Sequence, residues 1–320
     1  MGAAALSAFL DSNNMPPDGV IVTAVLPGGC PLSCPFCFVG MRGERQLDFV
    51  LTSEHLPALM HEMRLKGLLG AAAIVGDEPL QSKVWPYTRS FLTYGHDAGV
   101  PMALITNGFE LADFAKELSQ FRKLKLLVSV DAVGEDHDRI RRREGAFARL
   151  AAGIKAAMSY DSMRRSISLA ATLMPNNDDK LKDVIAFASQ NGIEHVTISP
   201  LLHVDENQRL RAHPKVLSMA AAVTSELMTF AQDLNVGLRF SDEFGVLGEW
   251  EDVLRQTGIT VAVPKVPVRL IRVDAAGRIE TIDTIRAGTS TGLNMPHQLQ
   301  QISELADALI PRNGVLPLAA

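Results

Sequence analysis

The feature that most limits what this chain can fold into is the stretch GGCPLSCPFC at residues 28–37, which holds all three of its cysteines. An odd number of clustered thiols does not suit a disulfide framework and is typical of a reducing compartment. Cysteine thiolates are soft ligands that suit zinc and iron–sulfur clusters. A closed thiolate site needs four ligands, so three leave one position open, as a catalytic metal site requires.

Short β-branched runs alternate with longer amphipathic stretches, a pattern typical of repeated βα units around a parallel sheet. Six strands are predicted at residues 20–25, 71–75, 100–105, 124–130, 166–173 and 194–199. Helices are predicted between them, including one long helical region over residues 137–160. Six such units predict an α/β fold, a partial (β/α)6 TIM-like barrel, in which chemistry gathers where the strands end.

The pattern becomes less regular after residue 201, which predicts an α+β extension at the C-terminus. A helix at 214–234, a strand at 236–240 and a β-hairpin at 266–285 are predicted there. We therefore predict three segments. They are an N-terminal segment of residues 1–17, a barrel core of residues 18–202 and a C-terminal extension of residues 203–320.

Polar motifs follow several predicted strands. The first strand leads into the cysteine loop, the second into GDEP at residues 76–79 and the third into TNG at residues 106–108. The fourth strand ends in SVD at residues 129–131, and HDRIRRREGAF follows at residues 137–147. Because the carboxyl ends of parallel barrel strands meet at one face, these motifs are expected to lie together. Each short motif can also be an ordinary turn.

The cysteine loop resembles the CxxxCxΦC signature of radical S-adenosylmethionine (radical SAM) enzymes, with Phe36 at the aromatic position Φ. The resemblance implies a [4Fe–4S] cluster held by Cys30, Cys34 and Cys37, whose open iron binds S-adenosylmethionine. It implies that the reduced cluster cleaves this cofactor into methionine and a 5′-deoxyadenosyl radical, which takes hydrogen from a substrate. It also implies an electron donor of flavodoxin or ferredoxin type.

The other motifs extend the resemblance over residues 18–200. GDEP resembles the family's GGEP segment, with Asp77 in place of the second glycine, and HDRIRRREGAF is similar to its HDxxRGxxGxF stretch, with Arg142 in place of glycine. Arg141 and Arg143 are candidates to bind the methionine carboxylate, whereas a solvated basic face is the simpler interpretation for Arg139 and Arg142. The residues for which the resemblance implies cofactor binding are Phe36, Gly76, Asp77, Glu78, Pro79, Asn107, Ser129, Asp131, Arg141 and Arg143.

The C-terminal hairpin VPVRLIRVDAAGRIETIDTI resembles the start of the SPASM or twitch domain, which in related enzymes binds further clusters. No cysteine lies in it, so the extension is predicted to be free of clusters. No thiol remains to return hydrogen to a substrate radical, which disfavours thiol-dependent epimerisation. Lyase, decarboxylase, isomerase and oxidoreductase reactions all remain open.

Three residues that follow the later strands are candidates for substrate chemistry. His203 follows the sixth predicted strand, and Asp242 and Glu243 follow the strand at 236–240. A carboxylate there could act as a base towards a substrate hydroxyl, although a surface loop explains such residues equally simply. The expected substrate is a small molecule of specialised metabolism, such as a sugar, nucleoside or amino-acid derivative.

Other interpretations remain open at this stage. The chain could modify a peptide, or it could be a non-catalytic metal-binding protein with zinc completed by His55 or His61, or with buried cysteines and no metal. A net charge of −5 and 6% aromatic residues disfavour nucleic acid as a partner. The apolar runs are too short to span a membrane, so a cytoplasmic protein is expected.

Overall fold

The computed structural model describes residues 20–26, 28–37, 52–204, 210–240, 269–273 and 279–283. The predicted parallel sheet is present, and its strands run in the order β11-β10-β1-β2-β3-β4-β5-β6-β9. The strand bounds are β1 Val20–Leu26, β2 Leu69–Gly76, β3 Met102–Thr106, β4 Leu124–Ser129, β5 Ile167–Leu173, β6 His195–Pro200, β7 Leu202–Val204, β8 Leu210–Ala212, β9 Gly237–Phe240, β10 Arg269–Val273 and β11 Ile279–Asp283.

Strands β1 to β6 pair in sequence order, and every pair is parallel. This confirms the α/β prediction of six barrel strands. Strand β9 extends the sheet beside β6, and β10 pairs in parallel with β1 on the other edge. The antiparallel pair predicted at 266–285 is β10 with β11, so this pair belongs to the barrel sheet. The turn predicted between them lies outside the described residues.

The helices follow the strands as predicted, with one exception. Their bounds are α1 His55–Leu65, α2 Trp85–Asp97, α3 Leu111–Leu118, α4 Glu135–Arg141, α5 Ala146–Met158, α6 Asp161–Arg164, α7 Leu181–Gln190 and α8 Pro214–Asp233. The long helical region predicted over 137–160 is wrong, because Arg142 and Gly145 adopt left-handed conformations that end α4 and precede α5. The carboxylate of Asp138 accepts hydrogen bonds from the amides of Gly145 (2.7 Å) and Phe147 (2.8 Å) and so caps α5.

The core lies between the sheet and the helices. Alternate strand residues such as Val22, Ile74 and Leu104 are fully buried in the main apolar cluster with residues of the helices. The intervening positions face the other side of the sheet, where Ala73 and Ala103 are also fully buried. The parallel strands therefore present their carboxyl ends, and the polar motifs that follow them, along one edge. Among the described helices, none has the length and apolar character needed to cross a membrane.

Candidate metal and cofactor site

The cysteine loop directly follows β1 and is fixed by the backbone of a neighbouring element. Gly29 enters the left-handed region with φ 80°, which a side chain would disfavour. The Ser33 amide donates a hydrogen bond to the carbonyl of Arg141 (3.1 Å), the last residue of α4. The loop therefore lies between the end of β1 and the end of α4.

Polar N–H groups point at two of the three thiols. The sulfur of Cys30 accepts from the amide of Leu32 (3.4 Å) and from the Asn107 side chain (3.2 Å). The sulfur of Cys34 accepts from the guanidinium of Arg141 (3.8 Å). Donors of this kind stabilise anionic sulfur and are typical of thiolates bound to metal.

Burial acts on these thiols in the opposite direction. It raises the pKa of Cys30 to about 12 and also raises the pKa of Cys34. Without a bound cation both thiols therefore keep their protons at neutral pH. Metal binding releases such protons and favours the thiolate. The donor set and the partial burial together fit a group with several positive centres.

The geometry does not favour a single metal ion. Within the described residues, no three His, Cys, Asp or Glu side chains converge to hold one ion. His55 accepts a hydrogen bond from the Thr52 amide (3.0 Å), and His61 lies beside the Tyr94 hydroxyl (3.4 Å). A four-iron cluster has a different requirement, because each thiolate binds its own iron. Cys30, Cys34 and Cys37 fit that arrangement better than a zinc site completed by histidine.

Glu78 links the ends of β2 and β3. Its carboxylate is fully buried and accepts from the Thr106 hydroxyl (2.6 Å) and from the amides of Asn107 (2.8 Å) and Leu80 (3.1 Å). Burial raises the pKa of Glu78 to about 7, while these three donors act to lower it. Asn107 thereby connects Glu78 to the sulfur of Cys30.

The turn around Glu78 has little freedom. Gly76 has φ 142°, and a Cβ there would lie 2.2 Å from the carbonyl oxygen of Leu26. The carbonyl of Pro79 accepts from the hydroxyl of Thr88 (2.8 Å). The backbone of GDEP is therefore packed directly against the end of β1, where the cysteine loop begins.

A buried ion pair joins the end of β4 to α4. Asp131 is fully buried, and one of its oxygens lies 2.6 Å from the guanidinium of Arg141. Its other oxygen accepts from the Thr172 amide (2.8 Å). The Cζ atom of Arg141 also lies 5.4 Å from the centre of the Phe36 ring. Arg141 thus contacts the cysteine loop through both Cys34 and Phe36.

His137 supports this pair from the core. Its Nδ1 accepts from the amide of Asp131 (3.4 Å), and its ring packs edge-on against Phe147. Burial, and then the charge of Arg141, lower the pKa of His137 to about 3. The imidazole is therefore neutral and positions the backbone that carries Asp131.

Two other predicted cofactor residues are less enclosed. Ser129 is half-buried at the end of β4. Arg143 is exposed, and its guanidinium lies 5.5 Å from the centre of the Phe109 ring. Of the two arginine candidates, Arg141 alone is printed in contact with a cysteine sulfur among the described residues.

A cavity of about 860 Å³ opens beside the cysteine loop, at the ends of β5 and β6. Its apolar wall includes Phe36, Ile140, Met174, Leu201 and Leu202. Three cationic side chains, those of Arg139, Arg142 and Lys180, also line it. Asp136 is the acidic side chain of the described lining, and it pairs with Arg139 and with Lys180. The cavity therefore combines an apolar wall with an excess of positive charge.

The substrate candidates have different outcomes. His203 lines this cavity, and its ring centre lies 5.7 Å from that of His213. Asp242 and Glu243 lie outside the described residues. A second cavity of about 790 Å³ lies on the outer surface between α1 and α2 and contains none of the predicted residues.

Comparison with known proteins gives a family for this site. Residues 25–188 match the family described as Radical SAM superfamily. A GTP 3′,8-cyclase of Rhizobium etli is 28% identical over 182 residues, which are 56% of this chain and 51% of that protein. A GTP 3′,8-cyclase of Rhodopseudomonas palustris is 26% identical over 230 residues, or 68% of this chain and 65% of that protein. The chain thus spans about half the length of the first of these curated relatives.

Solved structures share the fold at low identity. Streptococcus suis SuiB bound to the precursor peptide SuiA has a TM-score of 0.60 and 12% identity, covering 85% of this chain and 61% of that one. The enzyme anSMEcpe with bound AdoMet has a TM-score of 0.59 and 14% identity, covering 92% of this chain and 88% of that one. These similarities support the partial TIM-like barrel.

Proposed function

This chain belongs to the radical SAM superfamily, and from that membership we propose that it acts on an anionic small molecule after reductive cleavage of S-adenosylmethionine at a single cluster. Members of the family use a [4Fe–4S] cluster and S-adenosylmethionine. When bound, the cluster supplies the electron for cleavage, and the cofactor supplies the carbon radical that removes hydrogen from the substrate. The observation that carries the proposal is the position of the cationic cavity beside the cysteine loop.

We assign the cluster to Cys30, Cys34 and Cys37, with Asn107 and Arg141 as donors to sulfur. Glu78 is the proposed acceptor for the cofactor's ammonium group, because its buried carboxylate lies one residue from Asn107's contact network. Both oxygens of Asp131 already have partners, so we propose that Asp131 acts by holding Arg141.

The cavity supports an anionic substrate. Arg139, Arg142 and Lys180 together exceed the single acidic side chain of the described lining. The guanidinium group is suited to phosphate and carboxylate. The curated relatives are named for GTP, which carries a triphosphate. A phosphorylated nucleoside or a similarly charged small molecule is therefore favoured over a neutral sugar.

His203 is the proposed proton acceptor on the substrate side. It lines the same cavity, and its Nδ1 is buried without a hydrogen-bond partner among the described residues. An imidazole here can accept a proton from a substrate hydroxyl. Removing that proton would assist loss of hydrogen or electrons from the neighbouring carbon.

The experiment that tests this function is anaerobic reconstitution with iron and sulfide. About four irons and four sulfides per chain are expected, with formation of methionine and 5′-deoxyadenosine after addition of dithionite. Dithionite replaces the flavodoxin- or ferredoxin-type donor that we propose as the natural partner. A colourless zinc protein would contradict the proposal. A variant with Cys30, Cys34 and Cys37 all intact but no cleavage would argue for a non-catalytic role.

The substrate class is tested with GTP and guanosine as probes. We expect GTP to increase 5′-deoxyadenosine formation more than guanosine does. Arg142→Gln should raise the apparent KM for GTP by about tenfold, because one charge-assisted hydrogen bond is worth about 1.5–3 kcal/mol. Arg122→Gln is the control, because Arg122 is exposed and does not line the described cavity. Equal stimulation by both probes would refute an anionic substrate.

We expect the affinity for S-adenosylmethionine to fall as the pH drops below 7. Because the pKa of Glu78 in the free protein is about 7, the ionised fraction that attracts an ammonium group falls to about one tenth at pH 6. The apparent Kd should therefore be about tenfold higher at pH 6 than at pH 8. Equilibrium dialysis of the reconstituted protein measures this change.

Glu78→Gln provides the control for this pH dependence. Its affinity should be weaker than that of the wild type and should show little change between pH 6 and pH 8. Equal affinities of the wild-type protein at both pH values would rule out Glu78 as the group that binds the ammonium.

A further inference from the structure

Asp77 stands where the resembling GGEP segment has glycine, and the structure gives its side chain a specific contact. Its carboxylate accepts a hydrogen bond from the amide of Gly29 (3.1 Å), the residue directly before Cys30. Asp77 is 8% exposed. A glycine at this position could not make this bond, so the contact distinguishes this chain from the pattern that it resembles.

The backbone directs Asp77 towards the cysteine loop. Its amide donates to the carbonyl of Leu26 (3.3 Å), the last residue of β1, and the preceding Gly76 packs against the same residue. Gly29 has φ 80°, a left-handed conformation that belongs to the turn carrying its amide. The carboxylate and the loop are therefore held together from both sides.

The charges near Asp77 differ in their exposure. Lys83 lies over the same turn, since its Nζ would be 3.5 Å from a Cβ at Gly29, but Lys83 is exposed. Solvent screens an exposed ammonium more strongly than a buried carboxylate. Asp77 thus places a poorly screened negative charge one residue from the first cluster ligand.

Two physical effects of Asp77 act in the same direction on a cluster at this loop. Net charge and hydrogen bonds to sulfur both set the reduction potential of an iron–sulfur cluster. The negative charge opposes the arrival of an electron. The bond to Asp77 also occupies the Gly29 amide, which can then not donate to sulfur. Both effects lower the potential, whereas the donors Asn107 and Arg141 raise it.

We propose that Asp77 is a positioning residue that fixes the start of the cysteine loop and lowers the reduction potential of the cluster. This inference rests on the proposed function, because it requires the cluster to be bound at Cys30. A lower potential makes the reduced cluster a stronger donor towards S-adenosylmethionine. It also makes the cluster harder to reduce, so Asp77 would narrow the range of electron donors that can serve this protein.

The test is a redox titration of the reconstituted protein, followed by electron paramagnetic resonance. Asp77→Asn keeps an oxygen acceptor for the Gly29 amide and removes the charge. We expect unchanged iron and sulfide per chain and an equilibrium constant for reduction about tenfold larger, which is a positive shift of about 59 mV for one electron. Asp77→Gly should shift the potential in the same direction and also lose iron faster to a chelator.

Two further variants separate charge from packing. Asp77→Glu keeps the charge, so its potential should stay within the scatter of the wild type even if its cluster is less stable. Asp97→Asn removes an exposed carboxylate at the end of α2 and should leave the potential unchanged. The proposal is overturned if Asp77→Asn has the wild-type potential, or if Asp77→Glu shifts it as far as Asp77→Asn. A wild-type protein that binds no cluster would instead refute the proposed function.

Discussion

Replacing Cys34 with alanine is expected to abolish the cleavage of S-adenosylmethionine while leaving the fold intact. One iron would lose its thiolate, and the cluster has no spare cysteine to recruit, because all three lie in this loop. We expect a loss of cleavage of at least ~100-fold, since even changes in the residues around a metal site cost 10–100-fold. Iron and sulfide analysis and the rate of 5′-deoxyadenosine formation measure the effect.

The metal-free protein separates this effect from misfolding. Cys34 is half-buried and packs beside a small cluster that includes Leu32. Its truncation should change the free energy of unfolding by about 1 kcal/mol or less. Ser33→Ala is the matched control, because Ser33 is exposed in the same loop and should keep full activity. A Cys34→Ala protein with four irons and normal cleavage would contradict the assignment of the cluster.

The sequence was sufficient to predict the barrel and the edge at which its site lies. Strand periodicity and the polar residues after each strand depend on local pattern, which a single chain displays directly. The cysteine spacing likewise predicts soft-metal chemistry without any tertiary information. These are the parts of the site in which one short segment carries the whole signal.

Other parts of the site depend on contacts between distant segments. Asp77 reads as an imperfect match to a motif, but its partner Gly29 is 48 residues away. Lys180 follows β5 and carries no motif, yet it lines the cavity with Arg142. Side-chain direction and the pairing of distant loops determine these contacts, and neither can be read from spacing along the chain.

The break between α4 and α5 shows the same limit on a smaller scale. A helical pattern over 137–160 favours one helix, but Asp138 forms a better-satisfied arrangement by capping α5. The left-handed Arg142 then turns its side chain to the cavity wall. A local capping interaction therefore outweighs helix propensity and changes which arginines can meet a substrate.

Arg141→Met is expected to destabilise the metal-free protein by about 3–5 kcal/mol, because it leaves the carboxylate of Asp131 buried without its cationic partner. Urea unfolding measures this loss. Arg143→Met is the control: Arg143 is exposed, and its replacement should change the free energy of unfolding by no more than about 0.5 kcal/mol.

The variant that combines Asp131→Asn with Arg141→Met decides how the pair works. If Asp131 acts by holding Arg141, the double variant should lose clearly less stability than the sum of the two single variants, because neither charge is then left unpaired. Affinity for S-adenosylmethionine should fall by a similar factor in all three variants. Strictly additive losses of stability, or an Asp131→Asn variant that weakens the cofactor far more than Arg141→Met, would mean that Asp131 contacts the cofactor directly and that its bond to Arg141 is secondary.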